Sequence, residues 1–276
     1  MEENSVLANA AYTYNDSAED SEETLKEISE YGLEGYMIDK DLSDDESVVF
    51  LNPEGDEITL SIRGTDPNKF DPEDWWANLQ ILTGAETDSE RHYGEYDKMR
   101  KIIDKYPDKK IKTTGHSLGG QISYKLGRDF DVEGHHFNAG ASIREVFENL
   151  VSTIYCGKDC EALKKQNFYT TSIDPISFLN LHPVLDQFGK QNVKYQYRPE
   201  MGLMGHSLNH FLPPKKGEKI IERTFLTPYD MYKDIEKRGF IKMEARPRSQ
   251  APLPISRDYC SDNPKDPKCL LINRNR

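Results

Sequence analysis

No apolar run in this chain of 276 residues is longer than a handful of residues. A membrane-crossing helix needs about 20, so no transmembrane segment is expected. A basic excess is missing too: 36 Lys and Arg stand against 48 Asp and Glu, a formal net charge of −12. Nucleic-acid phosphates call for the opposite sign, so no nucleic-acid partner is expected. Steady adsorption to anionic membranes is disfavoured for the same reason. Transient contact with a lipid interface is compatible with this balance, since a few exposed apolar residues suffice. The N-terminus, Met1-Glu2-Glu3-Asn4, lacks the basic-then-apolar pattern of a secretory signal. The chain is therefore expected to be cytoplasmic, or exported without a recognisable signal peptide. Cysteine is scarce. Cys156, Cys160, Cys260 and Cys269 are spaced C-x3-C and C-x8-C, and neither is a zinc pattern. They are read as free thiols, with two disulfides or a metal site as the alternatives.

What is present suits one good core: 36% of the residues are hydrophobic, and a single α/β domain of this length is ordinary. Residues 5–12 read as a helix, and Leu25 and Ile28 continue a helical spacing through 22–31. Residues 35–38, 47–51 and 57–62 read as strands. Pro53-Glu54-Gly55-Asp56 is strong turn chemistry and predicts that the last two pair antiparallel. Tyr93, Tyr96, Met99, Ile102, Ile103 and Tyr106 recur at helical spacings, so a helix is predicted over 92–106, closed by Pro107. Short strands at 111–114, 135–138 and 168–173 alternate with a helix at 118–130, which predicts a mostly parallel central sheet flanked by helices. Residues 1–245 are assigned to this domain. From 246 to 276 the chain turns Pro-rich and polar and reads as a tail. Nothing in the pattern sets an oligomeric state.

Gly115-His116-Ser117-Leu118-Gly119-Gly120 matches G-x-S-x-G between the strand Ile111–Thr114 and the helical run from Gln121. That context gives the pattern its mechanism. A serine on a sharp strand-to-helix turn stands above the strand end, flanking glycines make room for the turn, and the helix start offers N–H groups to an oxyanion. The bland alternative is a Gly-rich loop with an incidental serine. A serine hydroxyl needs a base, and the base needs an orienting carboxylate. In a fold of this kind they follow the serine in the order acid, then histidine. Asp174 ends a strand before Pro175, with Asp186 as a weaker choice and an Asp-Pro turn as its ordinary reading. His206, in Met204-Gly205-His206-Ser207-Leu208-Asn209-His210, is the expected base, with His210 second; His182 follows Asp174 too closely. Leu118 N–H and Thr65, in Arg63-Gly64-Thr65-Asp66, are the expected oxyanion donors. His116 is expected to pack or to line the substrate pocket with Trp75 and Trp76. These tryptophans, with Leu79, Ile81 and Leu82, could form an acyl-chain surface or simply fill core. His135 and His136 read as structural. The chemistry calls for no cofactor and no metal.

Together these segments resemble the class 3 lipase family, the fungal-lipase-like α/β-hydrolases. The matching pieces are Ser61-Ile62-Arg63-Gly64-Thr65, Asp74-Trp75-Trp76-Ala77-Asn78-Leu79, Arg91-His92-Tyr93-Gly94, Thr114–Gly120, Ile173-Asp174-Pro175 and His206–Leu212. They run in the family's order over roughly residues 5–212, with Ile62 where the family often has Phe. The resemblance implies an α/β-hydrolase fold and a triad of Ser117, Asp174 and His206. It also implies Thr65 and Leu118 at the oxyanion hole and a lid-like insertion within about 66–90. The implied activity is hydrolysis of carboxylic esters of acylglycerols or phospholipids. A non-catalytic binding protein on the same fold, or a thioester or amide hydrolase, are the rival readings.

Overall fold

The computed structural model describes residues 1–15, 18–64, 87–140, 160–171, 192–196, 206–218 and 225–226. Every described residue lies in the compact unit Met1–Tyr232. Two helices, α1 (Glu2–Ala10) and α2 (Ala18–Glu30), precede three strands, β1 (Met37–Ile38), β2 (Ser47–Leu51) and β3 (Glu57–Ile62). Then come α3 (Thr87–Lys105), β4 (Lys110–His116), α4 (Leu118–Asp129), β5 (Glu133–Phe137), α5 (Cys160–Lys164) and β6 (Gln166–Thr171). The strands β7 (Asn192–Gln196) and β8 (Phe225–Leu226) follow, with a 3-10 turn at Leu208–His210 between them. Among the described residues, these eight strands form one sheet in sequence order. From β3 to β7 they run parallel, while β1, β2 and β8 pair antiparallel.

The β2–β3 hairpin follows from its turn. Asn52 Oδ1 accepts the N–H groups of Asp56 (3.0 Å) and Glu57 (2.9 Å). Gly55 sits at φ +69 with open space where a Cβ would go, so the backbone angle alone asks for glycine. The hairpin sets the register Phe50↔Thr59, and that register decides which side chains go to which face.

Strand periodicity then builds two apolar layers. On one face Val48 and Phe50 pack against Val6, Leu7, Ala10, Ala11 and Tyr14 and against Ile28 of α2. On the other, Val49, Ile58, Leu60 and Ile62 pack against Met99 and Ile102 of α3 and Leu118, Ile122 and Leu126 of α4. A large apolar side chain buried this way contributes roughly 1.5–3 kcal/mol. The face under α1 also carries hydroxyls, and they are satisfied. Ser61 Oγ donates to the carbonyl oxygen of Leu7 (2.8 Å), and Thr114 Oγ1 reaches that of Asn4 (3.1 Å). These bonds fasten α1 across β3 and β4. Among the described residues no helix is long and apolar enough to cross a membrane.

The expected α/β architecture is present, with elements shifted by a few residues. The helix predicted from residue 92 begins at Thr87, and the strand predicted from residue 168 begins at Gln166. The lid-like insertion and the 246–276 tail lie outside the described residues.

Candidate active site

Ser117 sits between the last residue of β4 and the first of α4, with φ 57 and ψ −124. A non-glycine residue there is strained by about 1–3 kcal/mol and persists only where its surroundings hold it. Three backbone bonds do so. Ser117 N–H donates to the carbonyl oxygen of Phe137 (3.1 Å), while Gln121 N–H (3.2 Å) and Gly140 N–H (3.0 Å) donate to the Ser117 carbonyl oxygen. The bend is possible because α4 begins hard against β3. A Cβ on Gly119 would collide with the carbonyl oxygen of Ile62 and lie 2.7 Å from the carbonyl carbon of Arg63. Ser117 is 3% exposed.

His206 meets it from a distant segment: its Nε2 lies 2.8 Å from Ser117 Oγ. The histidine is buried as well, at 5% exposure. Its segment is held from below by Leu208 and Phe211, which pack with Ala8, Phe137 and Tyr169. Ser207 Oγ caps the 3-10 turn by accepting Asn209 N–H (3.3 Å). Ser5 Oγ of α1 donates to the carbonyl oxygen of Phe211 (2.8 Å). When Nε2 accepts the serine proton, Nδ1 carries the other hydrogen and needs an acceptor to orient the ring. His210 ends the 3-10 turn, half-buried, four residues further on.

His116, expected to pack or to face substrate, is 8% exposed, and both its ring nitrogens meet protein atoms. Nε2 lies 2.7 Å from the carbonyl oxygen of His206, and Nδ1 lies 2.8 Å from the Tyr12 hydroxyl. The same hydroxyl accepts Gly64 N–H at 3.1 Å. The rings of His116 and His206 have centroids 4.9 Å apart. Tyr12 carried no signal in the sequence, because its part depends on three distant pieces of chain converging.

Gly64 borders the serine: a Cβ added there would lie 3.1 Å from Ser117 Cβ and would overlap the Tyr12 hydroxyl. Gly64, at the exit of β3, therefore lies beside Ser117. Leu118 is the first residue of α4 and 8% exposed. As a first-turn residue its N–H has no partner within the helix. Thr65, Trp75, Trp76, Leu79, Ile81, Leu82, Asp174, Asp186 and His182 lie outside the described residues, as do the side chains of the four cysteines.

His135 and His136 lie on β5. His136 Nδ1 bonds Ser123 Oγ (2.7 Å) and its Nε2 bonds Gln166 Oε1 (3.0 Å). His135 is placed between Glu133 Oε1 (2.9 Å) and the Tyr169 hydroxyl (3.2 Å). Burial pushes the His135 imidazole below its ordinary range, against the opposing pull of the Glu133 carboxylate.

No family model matches the chain, and no curated protein sequence matches it. Among solved structures, the Lip2 lipase of Yarrowia lipolytica is similar over 74% of this chain and 80% of its own, at 16% identity and a TM-score of 0.45. Lipase II from Rhizopus niveus is similar over 74% of this chain and 82% of its own, at 13% identity and 0.42. A mono- and diacylglycerol lipase from Aspergillus oryzae covers 88% of this chain and 91% of its own, at 15% identity and 0.37. All three are fungal lipases, the kind of protein the motifs resemble. Each TM-score is below 0.5, so the chemistry of the site rests on its own distances.

Proposed function

We propose that this protein is a serine hydrolase of carboxylic esters, acting on acylglycerols or phospholipids through an acyl-enzyme. The observation that carries the proposal is the 2.8 Å contact between His206 Nε2 and Ser117 Oγ, made on a strained elbow where both side chains are buried. An unstrained, solvated Ser-His contact would carry no such meaning; strain held at a polar residue whose hydroxyl meets a buried imidazole points to use.

In this reading Ser117 Oγ attacks the acyl carbonyl while His206 Nε2 takes its proton, and the imidazolium returns that proton to the leaving alcohol. The N–H groups of Leu118 and Thr65 receive the oxyanion, which is worth roughly 3–4 kcal/mol per donor in comparable sites. Asp174 accepts the hydrogen on His206 Nδ1 and fixes the ring. Water, activated by the same histidine, then releases the acid. Trp75 and Trp76 offer apolar surface to the acyl chain. Lipid or ester substrate at an interface is the expected partner.

A panel of acylglycerols, phospholipids and p-nitrophenyl esters, run beside Ser117→Ala, tests this. Release of free acid by the wild type, lost in Ser117→Ala, is the expected result. Binding of the same lipids without turnover would favour a non-catalytic role, and turnover of thioesters or amides alone would move the substrate class.

A further inference from the structure

Tyr12 follows the end of α1, and its hydroxyl joins two parts of the site that come from different ends of the chain. It accepts Gly64 N–H (3.1 Å) at the exit of β3 and bonds His116 Nδ1 (2.8 Å) at the end of β4. His116 Nε2 then bonds the His206 carbonyl oxygen (2.7 Å). The direction of the hydrogens follows from the two ends. A carbonyl oxygen only accepts, so His116 Nε2 carries a hydrogen. With the ring neutral, Nδ1 holds a lone pair and takes the Tyr12 O–H. The hydroxyl oxygen is left to accept from Gly64. A doubly protonated ring would force Tyr12 to turn its hydrogen elsewhere. It would also set a cation 4.9 Å, centroid to centroid, from His206, the ring that takes a positive charge when it removes the serine proton.

The chain is not what attaches α1 to the sheet. Ser61, Thr114 and Ser5 already bond α1 to β3, β4 and the His206 segment, and Val6, Leu7 and Ala10 lie in the core. Tyr12 is spent on the end of β3 and on His116 instead.

We infer that Tyr12 and His116 are positioning residues. Through the bonded chain Gly64–Tyr12–His116–His206 they fix the main chain of His206 and the start of the loop after β3, with His116 kept neutral and protonated on Nε2. The inference rests on the reading of Ser117 and His206 as nucleophile and base. It makes His116 part of the support of the base rather than a wall of the substrate pocket.

Two readouts on the full chain test it. The first is the imidazole nitrogen spectrum of the 15N-labelled protein, with His116 assigned by loss of its signals in His116→Gln. The neutral Nε2–H form is expected in the wild type, and a mixed tautomer in Tyr12→Phe. A wild-type His116 protonated on Nδ1 alone, or on both nitrogens, would overturn the inference. The second is kinetics on a soluble ester. Tyr12→Phe, which removes one oxygen atom, is expected to lower kcat about tenfold, one hydrogen bond's worth of positioning, with KM within roughly twofold. His116→Gln keeps an N–H that reaches the His206 carbonyl and is expected to retain more activity than His116→Leu. Unchanged kcat in Tyr12→Phe, or a rise in KM alone, would overturn it. If His116→Leu fails to fold, Tyr12→Phe and the spectrum decide between them. Wild-type protein with no Ser117-dependent turnover would sink the catalytic reading, and the tautomer would still report whether the bonded chain exists.

Discussion

His206 Nε2 and Ser117 Oγ lie 2.8 Å apart although 89 positions separate them in the chain. The contact is made by one of two histidines that stand four residues apart on the same segment. His206→Ala is therefore expected to lower kcat by about 10⁴-fold or more, the order seen when a base is removed from such a site. His210→Ala is expected to cost less than roughly tenfold, since the contact to Ser117 Oγ is made by His206 and His210 ends the 3-10 turn. Steady-state turnover of a p-nitrophenyl ester by the two variants decides between them. Equal losses, or a larger loss in His210→Ala, would move the base.

Gly119 is required by space rather than by its backbone angle. Its added Cβ would meet the Ile62 carbonyl oxygen and lie 2.7 Å from the carbonyl carbon of Arg63. Backbone atoms on a packed strand cannot swing aside as a side-chain tip can. Gly119→Ala is expected to destabilise the fold by about 2–3 kcal/mol. Urea unfolding of the variant beside the wild type measures this. A midpoint unchanged from wild type would mean that α4 and β3 can separate at no cost.

The burial of His135 sets an acid-side stability window. Its folded pKa is lowered, chiefly by burial, from an ordinary value of 6.5. Below 6.5 the unfolded chain takes up a proton that the fold resists, so the contribution is intact above that pH. It is lost as the pH falls through the lower folded value. His135→Gln removes the titration, and a stability profile with a shallower slope between pH 6.5 and the acid limb is the expected outcome. An unchanged slope would show that other groups dominate there.

Most of the frame was legible from local pattern. Val48, Phe50 and Val49, and Ile58, Leu60 and Ile62, alternate as strands between two covered faces must, and Pro53-Glu54-Gly55-Asp56 announced the hairpin. The elbow was legible because its geometry makes local demands: a strand, a serine and close-packed glycines within six residues. The choice between His206 and His210 rested on order and loop position, whereas the contact with Ser117 is made across the fold. Tyr12 was invisible, since it meets Gly64 and His116 at 52 and 104 positions' distance, and no period in a sequence records that. The strand Phe225–Leu226 is two residues long, too short to leave a period.

The most direct test of the account is the site of labelling by a fluorophosphonate probe, which reacts with an activated serine. After treatment of the wild type, peptide mass mapping is expected to place one adduct on the peptide carrying Ser117, with no adduct in Ser117→Ala. No adduct under conditions that label a known serine hydrolase, or an adduct on another serine, would contradict the assignment of Ser117 as the nucleophile.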